Sequence, residues 1–300
     1  MQLKSEKLKT LLVTLFVMLL WGSLFPSVKI GYSAFKINTQ STASILMFAG
    51  VRFAICGAII WVIAAFRREK LKDISLTNIT PILVMGLFSV VLHYAFTYIG
   101  LSLTDSSKTA ILKQLGSLIY VCFSFLIFKD EKFSISKIIA ALIGFLGIIA
   151  INFNTGSFSL LQGDILIILA SLCTVAANVV GKKALHSNPA VLVVGISQFF
   201  GGVVLIIAAF LMGAQLPEFT VKAFFVFSYI CIASIVSYCL WFTSVKNGNL
   251  SNLFIIKFSE PVFACVFGAI LLNENIFKIQ YLVAFILISS GITLANLKER

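Results

Sequence analysis

The chain has 300 residues, 60% of them hydrophobic and only 11% charged, with a mean hydropathy of +1.06. That composition excludes a soluble globular domain and points to an all-α, polytopic integral membrane protein. A net charge of +12 would suggest a nucleic-acid partner in a soluble chain; here the bases sit in short loops beside apolar runs, where they set orientation in a lipid bilayer, so no nucleic acid is expected.

Ten apolar runs fit spans of roughly 20 residues, at about 9–31, 43–66, 79–101, 106–128, 134–153, 163–185, 189–212, 220–245, 250–272 and 278–297. Lys4, Lys7 and Lys9 ahead of span 1 imitate a signal peptide. No small-x-small cleavage site follows and the apolar run continues to Ile30, so the span is expected to be kept. Trp21 is a candidate aromatic wall, and Lys29 at the outer end is expected to snorkel. In span 2, Arg52 lies near mid-depth, where arginine pairs with an acid or with carbonyls; a packing clamp is the expected role. In span 3, Ser89, His93, Thr97 and Gly100 share a face with Tyr94 and Tyr98 beside it. An unpaired imidazole in hydrocarbon is costly, which makes His93 a site candidate with Tyr94.

Span 4 carries Lys113, Ser117, Tyr120 and Ser124 at helical spacing, one polar face that lipid disfavours and that is expected to point inward. Span 5 holds Ala140, Gly144 and Gly147, a close-packing or dimer surface. Asn178 in span 6 and Gln198 in span 7 are amides suited to joining helices, and Asn178 is the better ligand candidate. Span 8 offers Tyr238 and Trp241. Span 9 contains Lys257, Glu260 and Pro261 within five residues. Each ionised group at bilayer depth costs roughly 3 kcal/mol on insertion scales, so these charges need each other, water or a ligand. Lys257 and Glu260 are three apart and can pair as neighbours on a helix. Pro261 withholds the hydrogen bond due to the Lys257 carbonyl and is expected to break the helix there. Asp105 and Asp164 fall at outer span ends, where solvation is expected. The six cysteines lie inside apolar runs without a CxxC pair, so no disulfide, metal site or cofactor is expected.

Phe128-Lys129-Asp130-Glu131-Lys132-Phe133 after span 4 resembles Leu271-Leu272-Asn273-Glu274-Asn275-Ile276 after span 9. Aligning Glu131 with Glu274 sets Lys113-Gln114 beside Ile256-Lys257, and Leu118 where Pro261 stands. Each half then has five spans, an odd number, so the second is inserted upside down: residues 1–154 and 155–300 form two inverted five-helix repeats. With the N-terminus inside, fifteen loop and terminal bases fall on the inner side and four (Lys36, Lys108, Lys222, Lys278) on the outer. That positive-inside bias places a multi-pass protein in the cytoplasmic membrane with both termini cytoplasmic.

Trp21-Gly22-Ser23-Leu24-Phe25, Arg52-Phe53, Glu131-Lys132-Phe133-Ser134, Glu260-Pro261 and Asn273-Glu274, in this order across the whole chain, resemble the EamA-type drug/metabolite transporter superfamily. The resemblance implies a ten-helix inverted-repeat carrier whose cavity is lined by spans 1, 3, 4, 6, 8 and 9, and it implies export of amino acids or other metabolites. The residues themselves point to a secondary transporter working by alternating access. Four bases in spans (Lys29, Arg52, Lys113, Lys257) against one clear acid favour a carboxylate-bearing small molecule, an amino acid or organic acid. Proton coupling is open through Glu260 or His93, and the oligomeric state is unknown. There is no Gly-x-x-x-x-Gly-Lys-Ser/Thr stretch for ATP, and no HExxH or GxSxG motif of an enzyme. The competing reading is a channel or membrane scaffold without carrier activity.

Overall fold

The computed structural model describes residues 2–67, 74, 76–103, 106–129, 131–151, 162–216, 218, 220–272 and 279–297. Asp105, Asn273-Glu274, Lys278 and most of the charge run after span 2 lie outside them. Among the described residues every regular element is helical: α1 Gln2–Ala34, α2 Thr42–Phe66, α3 Leu76–Gly86, α4 His93–Leu103, α5 Ser106–Phe123, α6 Ile135–Ile151, α7 Gln162–His186, α8 Ala190–Leu211, α9 Val221–Asn247, α10 Leu250–Lys257, α11 Glu260–Leu272 and α12 Ile279–Leu297. A π-helical segment, Leu87–Leu92, joins α3 to α4, and a 3₁₀ turn, Ser124–Leu126, ends α5.

Among the described residues, seven stretches are long and apolar enough to cross a membrane: Leu8–Ala34, Thr42–Phe66, Ile79–Gly100, Gln162–His186, Ala190–Leu211, Val221–Asn247 and Leu250–Leu272. Three shorter apolar helices accompany them, Leu112–Leu126, Ile135–Ala150 and Tyr281–Ala295. The starts are written in polar side chains. Ser41, Thr220 and Asn249 cap α2, α9 and α10 by accepting from the amides of Ser44, Ala223 and Asn252. Large apolar side chains face outward on many helices, among them Leu142 and Leu146 of α6 and Leu282, Phe285 and Ile286 of α12. Polar groups are buried instead, including Arg52, His93, Gln114, Glu131, Asn178, Gln198, Lys257 and Glu260. An apolar exterior, over an apolar core in which these polar groups are enclosed, suits lipid as the outer solvent.

Helix pairing follows a pattern. α2 packs on α8, α6 on α12, α1 on α9 and α4 on α7; α1 also meets α11, and α5 meets α7. Small residues set the closest crossing. A Cβ at Gly57 would strike the Phe199 backbone, and one at Gly202 the Ala54 backbone, so α2 and α8 approach backbone to backbone. The small-residue face of α6 is used inside the molecule: a Cβ at Gly291 would meet the Ala140 carbonyl oxygen at 2.6 Å, and one at Gly144 the Phe258 ring at 2.7 Å. Asp164 departs from the expectation of a solvated span end. It is fully buried in the first turn of α7. There Gly163 lets the helix start press against the Gly100 carbonyl and Leu103 at the end of α4, which shuts water out.

Candidate functional site

The expected break at Pro261 is present and sharper than a kink. Lys257 is the last residue of α10 and Glu260 the first of α11, with Phe258 and Ser259 in the turn between them. Proline cannot donate to the Lys257 carbonyl, so the turn tightens: the Phe258 amide donates to Ile255 and that of Ser259 to Ile256. Each charge thus sits where a helix end favours it, the cation at a C-terminus and the anion at an N-terminus. Lys257 Nζ lies 3.8 Å from Glu260 Oε2, with both side chains buried. Glu260 Oε2 accepts no hydrogen bond.

Helix α1 brings the two lysines to one face. Lys257 Nζ is 6.0 Å from the Trp21 ring and Lys113 Nζ is 5.0 Å from the Phe25 ring. Trp21 and Phe25 are one helical turn apart, and Lys113 acts electrostatically on Lys257. The rest of the Lys113 face points inward as expected, with Ser117, Tyr120 and Ser124 all buried on or just beyond α5. Phe25 keeps 48% of its surface exposed, whereas Lys257 keeps 6%. Lys113 is thus half-buried beside an exposed ring, whereas Lys257 is enclosed.

Aromatic rings continue the wall. Trp21 packs edge-on to Tyr238 at 5.5 Å and tilted to Trp241 at 5.1 Å. The Trp241 Nε1–H donates to Asn178 Oδ1 at 2.7 Å, and the Asn178 amide donates to the Thr174 carbonyl at 2.8 Å. Asn178 thus spends both ends of its amide fixing α9 to α7, and its first-order role is to hold Trp241 in place. The Trp21 Nε1–H is buried without an acceptor.

His93 opens α4 directly after the π-helical segment, a rare geometry enriched at functional sites. The segment forms where the backbone is pinned: a Cβ at Gly86 would meet the Ser197 carbonyl oxygen at 2.5 Å. His93 Nδ1 lies 3.1 Å from the Ala170 carbonyl and 3.1 Å from Thr174 Oγ1. A carbonyl only accepts, so a hydrogen bond to Ala170 requires the hydrogen on Nδ1. Lys113 and Lys257 both act on the imidazole electrostatically. Tyr94, next along, is engaged elsewhere: its hydroxyl accepts from Arg52 at 2.9 Å.

Sequence reasoning missed Thr174, the shared partner of His93 and Ala170. It also passed over Pro26, buried within α1 beside Phe25, which removes the amide partner of the Gly22 carbonyl. Proline inside a span was the available signal. A second polar group lies at the far end of the same bundle. Ser251 Oγ donates to Glu131 Oε2 at 2.7 Å and lies 2.9 Å from Ser124 Oγ, and its amide donates to Glu131 Oε1 at 3.3 Å. Lys137 Nζ donates to Asn249 Oδ1 at 3.1 Å, and Lys246 Nζ to the Asn188 carbonyl at 2.9 Å.

The model of the EamA-like transporter family matches residues 8–153 and again residues 161–297. This chain belongs to the EamA-like transporter family. It is similar to the Bacillus subtilis protein named uncharacterized transporter YvbV, 26% identical over 299 residues that cover 98% of this chain and 93% of that one. It is also similar to the Escherichia coli K12 protein named uncharacterized inner membrane transporter YedA, 24% identical over 295 residues covering 95% and 90%. A solved crystal structure shares the fold with a TM-score of 0.75 at 17% identity, over 96% of this chain and 98% of that one. This EamA-like protein is a multi-pass membrane transporter.

Proposed function

We propose that this EamA-like protein is a secondary carrier, built as two inverted five-helix repeats (1–154 and 155–300), that exports a small carboxylate-bearing metabolite, an amino acid or organic acid, by alternating access. The observation that carries the reading is the meeting of Lys113 and Lys257, one from each half, over successive rings of α1. Two cations share one buried carboxylate there, so a bound anion would complete the charge balance, with Glu260 or His93 as the candidate proton carrier. Trp21, Tyr238 and Trp241 supply the apolar walls.

The packing pattern supports the repeat. Exchanging the first half's helices for their counterparts in the second turns the α1–α9 contact into α4–α7 and α1–α11 into α5–α7, while α2–α8 and α6–α12 map onto themselves. A two-fold relation between halves produces such a pattern, and five spans per half put that axis in the membrane plane. The double match of the family model is consistent with it. With both termini cytoplasmic, the Glu131–Ser251 and Lys137–Asn249 ties lie at the inner face and hold it closed.

The test is counterflow in proteoliposomes with pooled amino acids and organic acids. Saturable exchange of a carboxylate-bearing compound is expected, and Lys113→Ala should lower its apparent affinity about tenfold, the worth of one hydrogen-bonded ion contact. Uptake of cationic compounds only would overturn the anion reading. Non-saturating flux would identify a channel, and no flux of any compound a scaffold.

A further inference from the structure

Arg52 is buried in α2 to 3% exposure, and among the described residues it faces no carboxylate. Neither of the partners expected for an arginine at bilayer depth, an acid or a set of carbonyls, is found among the described residues. One Nη donates to the Tyr94 hydroxyl at 2.9 Å. The guanidinium carbon stands 4.3 Å from the Phe53 ring centre and 5.3 Å from that of Tyr94. Ring faces and a phenol oxygen offer only partial negative charge. The Nε–H is buried with no acceptor among the described residues. A full positive charge in hydrocarbon with an unmet donor is the arrangement that evolution and folding both disfavour unless something else completes it.

The surroundings point to what completes it. Tyr94, Tyr98 and Tyr238 lie within electrostatic reach of the guanidinium, and Tyr32 does so from α1. Tyr32, Tyr94 and Tyr98 are half-buried as residues, and the Tyr32 hydroxyl is itself buried without a hydrogen-bond partner among the described residues. Tyr32 lies in the last turn of α1 and Tyr98 in the second half of α4, ends that the carrier reading puts on the outer side. Tyr238 separates this cluster from the lysine site, edge-on to Phe53 at 6.0 Å and to Trp21 at 5.5 Å. The planar guanidinium fork fits a carboxylate, and phenols can donate to the same oxygens.

We propose that Arg52 is a second anion-binding group of this transporter, taking a carboxylate at its unpartnered Nε–H behind Tyr94 and Tyr98, distinct from the Lys113–Lys257 site. The carboxylate belongs either to the far end of the substrate or to an exchanged counter-anion. The inference extends the carrier reading but does not depend on which compound the lysines take.

The experiment uses the full-length protein in detergent and follows thermal unfolding in sodium acetate against sodium chloride at equal ionic strength. Acetate should raise Tm saturably. Arg52→Lys, which keeps the charge but not the fork, should move the midpoint concentration about tenfold higher, and Arg52→Gln should abolish the effect in a Lys113→Ala background. Lys113→Ala removes the lysine site's own share of acetate binding, so an acetate shift sensitive to Arg52 should persist in that variant. If Arg52→Gln does not fold, Arg52→Lys decides alone. An equal midpoint in Arg52→Lys and the parent, or no acetate-specific shift in the parent, overturns the proposal. A midpoint that moves only in Lys113→Ala also overturns it, while leaving the lysine site standing. Failure of every carboxylate in counterflow, with the acetate shift intact and sensitive to Arg52, would sink the carrier reading and spare this one.

Discussion

Lys257 and Glu260 form a buried ion pair to which the proposed function also gives a part in substrate binding. Their 3.8 Å approach neutralises two charges that neither lipid nor the apolar interior would tolerate singly. Removing one partner strands the other, so Lys257→Met should cost about 3–5 kcal/mol of stability. Replacing both, Lys257→Met with Glu260→Leu, should restore most of that stability, because a well-packed apolar pair can substitute for a buried ion pair. Transport separates the roles: the double variant is expected to unfold near the parent Tm yet to show no counterflow. Counterflow at the parent rate would reduce the pair to scaffolding. These residues were legible because a charge in a span is expensive wherever it points. Their surroundings were not. Nothing in the sequence says that Asn178 holds the Trp241 indole, that Tyr94 is claimed by Arg52, or that Lys113 seeks the Phe25 ring. Those partners come from helices far apart in the chain, and one helix's periodicity carries no record of another's azimuth.

Among the elements, span 9 and span 3 are both irregular, for different reasons. The break between α10 and α11 was written in the sequence, since Pro261 lacks a donor and cannot continue the ladder. Its counterpart in the first half has Leu118, and α5 runs through that point unbroken. The π-helical Leu87–Leu92 has no such signal. It arises where Gly86 is pinned against the Ser197 carbonyl and Val90 fills the space over Gly201, a tertiary constraint overriding apolar helix formers. If the α10–α11 break is where the carrier flexes, mending it should trade motion for stability. Pro261→Ala returns a donor to the Lys257 carbonyl and removes a penalty of about 3 kcal/mol. The expected result is a higher Tm with a slower counterflow rate and unchanged apparent affinity. A faster or equal rate would place the hinge elsewhere. The small-residue face of α6, readable from its spacing, has the duty of seating that break, for Gly144 leaves the room the buried Phe258 ring occupies.

At the scale of the whole molecule, the halves touch at two levels, and the difference between them bears on mechanism. Near the broken helix the contact is two lysines over successive rings of α1. At the proposed cytoplasmic end it is a dry knot in which Glu131, ending the first half's α5 region, accepts two hydrogen bonds from Ser251 at the start of α10. Charge-assisted bonds of this kind are worth roughly 1.5–3 kcal/mol each. A shift of that size is enough to move a carrier's balance between inward and outward states by one to two orders of magnitude. Glu131→Ala should therefore favour the inward-open state without touching the lysine site. With Ser117→Cys as reporter in a background lacking the six native cysteines, a membrane-impermeant thiol reagent should label faster from the cytoplasmic side and slower from the outside. Equal labelling from both sides, before and after the substitution, would mean that the Glu131 knot is cement for the fold and that another contact holds the inner face shut.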